Sequence, residues 1–164
     1  MVIVVMACGL GQDDHQANAD LRGALRSDPA FNLIPADVRA SLWTSEPIQN
    51  GTTGPENGMN GFGGVDPAPP AADARARLAD LDTRLSAMGW RPSGGKCFQP
   101  DDPTTRVVGG IWTKRIDGRW AFFAAALVGQ KWNYKMFIRA VSDQGGSTVT
   151  DLDQDVPGAI GCAQ

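Results

Sequence analysis

The segment 106–141 constrains the fold most, because short turns divide it into three stretches of ten or eleven residues with strand-like composition. Asp117-Gly118 is a strong two-residue hairpin turn, and Gly129-Gln130 forms the second turn. The middle stretch, 119–128, is apolar on both faces, which is typical of a central, covered strand. Strands joined by such short turns run antiparallel. The sequence therefore predicts an antiparallel meander.

The last stretch, 131–141, alternates between apolar and polar residues, as a half-buried strand does. One predicted face consists of Trp132, Tyr134, Met136 and Ile138. The other predicted face consists of Lys131, Asn133, Lys135 and Arg139.

The segment 106–139 is also basic, with seven Lys or Arg residues against Asp117 alone. Cations beside aromatic rings are typical of surfaces that bind sugars, bases or anionic lipid. We therefore predict a binding face that consists of Lys131, Asn133, Lys135, Arg139, Trp112 and Trp132. The alternative is that the aromatic rings fill the core while the cations are only solvated.

A helix is predicted over 71–88, before the meander. Its apolar residues recur at steps of three and four, namely Leu78, Leu81, Leu85 and Met88. Gly89 is placed to end the helix in the left-handed conformation, and Trp90 to pack back on the last turn. The fold class is therefore α+β, with one main helix packed on a three- to four-stranded antiparallel meander. A fourth strand is predicted at 147–152.

The N-terminal region is expected to be largely irregular. From 44 to 70, 11 of 27 residues are Gly or Pro, a density of turn residues that opposes regular structure. Short helices are predicted at 18–27 and 35–42. The expected organisation is a signal remnant at 1–8, a tether and Gly/Pro-rich linker at 9–70, and an α+β domain at 71–164.

The first residues contain Val5-Met6-Ala7-Cys8 followed by Gly9, which resembles the lipobox of bacterial lipoproteins. The resemblance covers about nine residues and implies that the Cys8 thiol is alkylated by a diacylglycerol. A complete signal has a basic segment and about 7–15 apolar residues. Since only seven residues precede Cys8 and none is basic, the resemblance implies a translation start further upstream. The alternative is a short buried strand at the N-terminus, which the β-branched residues favour.

Three cysteines are present, Cys8, Cys97 and Cys162. If Cys8 is lipidated, the other two make one pair, which suits an oxidising compartment outside the cytoplasm. We therefore predict a disulfide between Cys97 and Cys162, the alternative being two unrelated buried thiols.

No motif for metal, cofactor or nucleophilic catalysis is found in the sequence. The single histidine, His15, lies in the predicted tether, and no paired histidines or closely spaced cysteines suggest a metal site. A soluble enzyme remains an alternative, with carboxylates at Asp101, Asp102 and Asp143. A carrier of a small apolar ligand, held between helix and sheet, is a third possibility.

A pI near 5.0 argues against a nucleic-acid protein. The resemblance to lipoproteins implies a protein anchored by lipid on the extracytoplasmic face of the cell membrane. We expect its domain to have a non-enzymatic binding or accessory role, with an envelope component or another protein as partner.

Overall fold

The structure is a computed structural model that describes residues 10–45, 59–67, 74–98 and 107–139. The strands are β1 Trp43–Ser45, β2 Met59–Val65, β3 Arg91–Phe98, β4 Val107–Ile116, β5 Arg119–Val128 and β6 Lys131–Arg139. They form one antiparallel sheet in the order β1-β2-β6-β5-β4-β3. The helices are α1 Leu10–Ser27, α2 Ala36–Arg39 and α3 Ala74–Ala87, with a 3-10 helix at Pro29–Leu33. The α+β class is therefore confirmed.

The predicted meander is present as β4, β5 and β6. The turn between β4 and β5 has positive φ at both central residues, 49° at Asp117 and 75° at Gly118. Such a turn matches the twist of the strands it joins. Gly129, in the turn between β5 and β6, has a φ of 59°. These short turns keep neighbouring strands in register over most of their length.

The predicted count of three to four strands was wrong, because the described residues form a six-stranded sheet. β3 follows α3 directly and pairs with β4, while β1 and β2 come from the N-terminal region and place β2 beside β6. Strands from both sides of residue 71 therefore lie in one sheet. The fourth predicted strand, 147–152, lies outside the described residues.

The glycines of β2 explain why this strand was mistaken for a turn region. A Cβ on Gly61 would meet the backbone and ring of Phe137, and a Cβ on Gly63 would overlap the indole of Trp43. These glycines therefore allow neighbours to approach closely, as glycine does inside some strands. Their conformation is that of a strand, although their composition resembles a turn.

The prediction of a single main helix was also wrong, since α1 has 18 residues and α3 has 14. The N-terminal region, expected to be irregular apart from short helices, therefore contributes α1 as well as two strands. Only Leu25 of the predicted stretch 18–27 is a fully buried apolar residue, and Leu21 is partly buried. An apolar stripe this narrow is a weak signal for so long a helix.

Helix α3 follows the prediction closely. Leu78, Leu81 and Leu85 are buried along one side of it. Gly89 has a φ of 83°, and the Trp90 amide donates to the Leu85 carbonyl oxygen at 3.0 Å. This geometry ends the helix in the left-handed conformation that was predicted.

All described helices contact the same face of the sheet, which we call the helix face. Large side chains fill the space between the layers, among them Trp90, Trp112, Trp132, Tyr134, Phe62 and Phe123. The opposite face, which we call the outer face, is formed by the odd-numbered residues of β1, β2, β4 and β6 and the even-numbered residues of β5. No described helix lies on it.

Helix α1 packs over β2 on the helix face. The Asn60 side chain on β2 donates to the Asn18 carbonyl oxygen at 2.7 Å, and Arg22 donates to the Asn60 Oδ1 at 3.2 Å. One turn later, the Arg26 guanidinium lies 4.7 Å from the Phe62 ring centroid. Positions one turn apart along α1 therefore contact the same strand.

Candidate binding face

The predicted alternation of β6 is confirmed. Trp132, Tyr134, Met136 and Ile138 are buried on the helix face. Lys131 and Lys135 are exposed on the outer face, with Asn133 and Arg139 half-buried between and beyond them. Successive side chains of a strand point to opposite faces, so this separation follows from the sequence pattern.

The two tryptophans of the predicted binding face lie apart from its cations. Trp132 is buried between the helices and the sheet. Trp112, opposite Phe123 on β5, is also buried there, and its Nε1 donates to Asp82 of α3 at 2.7 Å. The structure therefore brings Lys131, Asn133, Lys135 and Arg139 together and places Trp112 and Trp132 on the other side of the sheet.

The strands have an unusual charge distribution. Their six sequences contain eight Lys or Arg residues and no Asp or Glu. The cations at outer-face positions include Arg115 on β4 together with Lys131 and Lys135 on β6. Because none of the six described strands supplies a carboxylate, the charged strand side chains on the outer face are all positive.

The same face has exposed apolar residues that the sequence did not reveal. Among the described residues, the large hydrophobic side chains that are exposed are Trp43 at 46%, Val65 at 42% and Val128 at 47%. All three occupy outer-face positions, since Trp43 pairs with Gly63, Val65 with Asn133, and Val128 with Lys131. An exposed apolar patch next to charged groups is typical of an interaction surface.

The outer face combines small residues with aromatic rings. Trp43 lies over Gly63, and its ring centroid is 6.2 Å from that of Phe137, which lies over Gly61. Phe137 pairs with Phe122 on β5, and Phe122 is only 3% exposed. The centre of the outer face is therefore apolar.

The sequence did not predict exposed apolar residues on this face, because no local pattern marks Trp43, Val65 and Val128. Trp43 and Val65 flank a segment dense in glycine and proline, and Val128 ends a strand that is apolar on both faces. Only the pairing of β1 with β2, and of β2 with β6, places Trp43 and Val65 beside the lysines. A scan for apolar residues next to alternating glycines would have marked Val65, which follows Gly61, Gly63 and Gly64, but not Trp43.

A second cluster of polar groups lies beneath α3, on the helix face. The Arg77 guanidinium is 4.9 Å from the Trp132 ring centroid and 5.4 Å from that of Tyr134. It also pairs with the buried Asp66 carboxylate at 3.4 Å. The Trp132 Nε1 and the Tyr134 hydroxyl are buried with no hydrogen-bond partner among the described residues. Burial raises the pKa of Tyr134 to about 12, an effect that Arg77 opposes and Asp66 reinforces.

A third cluster is centred on Asp28, which is nearly buried. Its carboxylate accepts from the Ala30 amide at 2.9 Å, from Trp90 Nε1 at 3.1 Å and from Lys114 Nζ at 2.7 Å. The first of these bonds caps the 3-10 helix. This carboxylate therefore joins the end of α1, the end of α3 and β4, which is a structural role.

The remaining predicted site residues lie mostly outside the described ranges. These are Cys8, Cys162, Asp101, Asp102 and Asp143. Cys97 belongs to β3, where its backbone pairs with Val108. The Cys97–Cys162 disulfide and the lipidation of Cys8 therefore stay predictions.

Within 10–45, 59–67, 74–98 and 107–139, no group of three or more His, Cys, Asp or Glu side chains is arranged to hold a metal ion. None of the described helices combines the length and the apolar character needed to cross a bilayer.

Comparison with known proteins found no matching family model, no matching curated protein and no matching solved structure. The geometry of the outer face is therefore the basis on which a function is proposed.

Proposed function

We propose that this protein is a lipid-anchored protein of the bacterial envelope whose folded part has a non-enzymatic binding or accessory role. Cys8 bears the lipid, and the chain lies on the extracytoplasmic side of the membrane. The outer face of the sheet is its binding surface. The partner is an envelope component or protein that presents negative charge.

The composition of the outer face is the observation that favours a binding role. It combines the exposed cations Lys131 and Lys135 with the exposed apolar residues Trp43, Val65 and Val128. Cations attract a partner over distance, and desolvated apolar groups stabilise the contact once it forms. The absence of carboxylates from all six strands means that no strand side chain repels an anionic partner.

The resemblance at Val5-Met6-Ala7-Cys8 supports the anchor. An apolar residue three positions before the cysteine and a small residue directly before it are what lipidation and cleavage require. The two other cysteines suit the oxidising compartment that such an anchor implies.

Expression of the complete gene in a bacterial host, including any in-frame codons upstream of Met1, tests the anchor. The wild-type product is expected in the membrane fraction, with a mass raised by covalent lipid. The Cys8→Ser product is expected to lose both properties, because serine provides no thiol for alkylation.

Cys97→Ser is the matched control, since it removes a thiol elsewhere in the chain. It is expected to keep the lipid and the membrane fraction. A wild-type product that is cytosolic, unacylated and fully reduced would contradict the proposed function.

A further inference from the structure

We infer that the outer face lies on the anionic surface of the membrane itself. This inference rests on the proposed function, which supplies the lipid anchor. Phospholipid headgroups with net negative charge are thus the partner of the outer face.

Charge is the first argument. Lys131 and Lys135 are exposed four residues apart on β6, and Arg115 is exposed on the same face two strands away. Each basic residue close to an anionic bilayer strengthens binding by roughly fivefold. Cations spread over β4 and β6 match an extended negative surface better than a small ligand.

The exposed apolar residues are the second argument. Trp43 and Lys135 both pair with Gly63, from opposite sides, so their backbones are about 10 Å apart. Val128 pairs with Lys131, and Val65 pairs with Asn133 between the two lysines. Tryptophan is enriched at the level of lipid headgroups, where its ring is partly desolvated. Each exposed apolar residue therefore lies beside the cations that would hold it at that depth.

An acyl anchor and a basic surface together give more stable attachment than either alone. With only Gly9 between Cys8 and α1, the folded part stays close to the bilayer, where the outer face can reach it. Soluble acidic proteins are the competing partners, and the experiment below separates the two.

The test uses the full chain with Cys8→Ser, so that no lipid assists binding, and sedimentation with vesicles. One set contains phosphatidylcholine alone, and the other contains phosphatidylglycerol as well. We expect binding to the anionic vesicles only, and we expect added salt to weaken it. K131E/K135E should lower the affinity at least about 20-fold, and Trp43→Ser should lower it several-fold.

The matched control is R75E/R84E, which makes the same change in net charge on α3, in the other layer of the molecule. It should retain nearly all of the binding, and circular dichroism should show that every variant is folded. Absence of binding, equal binding to both vesicle types, or an equal loss in both double variants would overturn the inference.

Binding to polyglutamate but not to anionic vesicles would also overturn it, in favour of an acidic protein partner. These outcomes are separable from failure of the proposed function, which is judged by lipid on Cys8 in cells. A protein that is lipidated in cells but does not bind anionic vesicles would refute only the inference.

Discussion

At the scale of single residues, Tyr134 shows how burial changes chemistry without creating a site. Its hydroxyl is buried under α3 without a hydrogen-bond partner among the described residues, and the Arg77 guanidinium lies 5.4 Å from its ring centroid. Loss of water disfavours the phenolate, so the pKa rises to about 12. Tyr134 is also the single tyrosine of the chain, which makes its titration directly observable.

We predict that the ultraviolet absorbance of ionised tyrosine appears with a midpoint near pH 12 in the native protein, and near pH 10 in urea. Between these values the unfolded state releases the tyrosine proton while the native state retains it. The Tyr134 contribution to the free energy of unfolding is therefore complete below about pH 10 and falls as the pH rises towards 12.

Tyr134→Phe is the control, because it removes the hydroxyl and nearly preserves the volume. The phenolate signal should vanish, and this part of the alkaline loss of stability should vanish with it. A native midpoint near pH 10 would show that the hydroxyl is solvated.

At the scale of elements, β2 is a strand that depends on the absence of side chains. Gly61 is buried against the backbone of β6, and Phe137 lies over it. A glycine loses more conformational entropy than other residues when it is fixed in a strand. The close contact that Gly61 allows compensates for this cost. β2 in turn links the N-terminal elements to the meander, because it pairs with β1 on one side and β6 on the other.

We predict that Gly61→Ala lowers the free energy of unfolding by about 2 kcal/mol, because the new methyl group overlaps backbone atoms that cannot rotate away. Urea denaturation measures the change. The loss should be accompanied by faster hydrogen exchange at the amides that β2 and β6 share.

Gly23→Ala is the matched substitution in α1. Gly23 is exposed in mid-helix, with nothing within 4 Å of the position of a new Cβ. It should raise stability by about 1 kcal/mol, since alanine is the better helix former. A neutral Gly61→Ala would mean that β2 does not lie against β6 as described.

At the scale of the whole molecule, the two layers differ in charge. Carboxylates occur in the helices and connections, while the strands contain only cations. Lys114 pairs with Asp28 on the helix face, and Arg119 also occupies a helix-face position. The outer-face cations of β4 and β6 are Arg115, Lys131, Lys135 and Arg139. A molecule with this asymmetry has a preferred orientation towards any anionic surface.

The helix and sheet layers bury side chains from the N-terminal and C-terminal parts of the chain in one core. Because Leu25 of α1 belongs to this core, we predict that Leu25→Ala lowers the free energy of unfolding by about 3 kcal/mol. The substitution leaves a cavity at a fully buried position. Tryptophan fluorescence and far-ultraviolet circular dichroism should show a single, coincident transition in urea.

Gln16→Ala, at an exposed position of α1, should leave the transition unchanged. Two separate transitions, with Leu25→Ala affecting only one, would indicate instead that the N-terminal elements fold independently of the meander.

Local signals in the sequence account for the parts that were predicted correctly. Leu78, Leu81 and Leu85 repeat at helical spacing, and Asp117-Gly118 specifies a tight turn, so α3 and the β4–β5 hairpin follow from neighbouring residues. The alternation in β6 likewise separates Lys131 and Lys135 from the core. The cationic half of the candidate surface was therefore predictable, whereas placing Trp132 on it contradicted the same alternation. The face that Trp112 occupies follows from the pairing of β4 with β5.

The sequence by itself determined α3, the meander of β4, β5 and β6, the α+β class and the side of β6 that its lysines occupy. Tertiary structure alone decided that β2 belongs in the sheet and that Trp43 and Val65 lie beside those lysines. The pairs that bring them there join positions as far apart as Met59 and Arg139. Such contacts form only if segments that are distant in the sequence fit together in the compact chain. Glycine has no side chain, so the glycine-rich sequence of β2 contains no pattern from which that fit can be predicted.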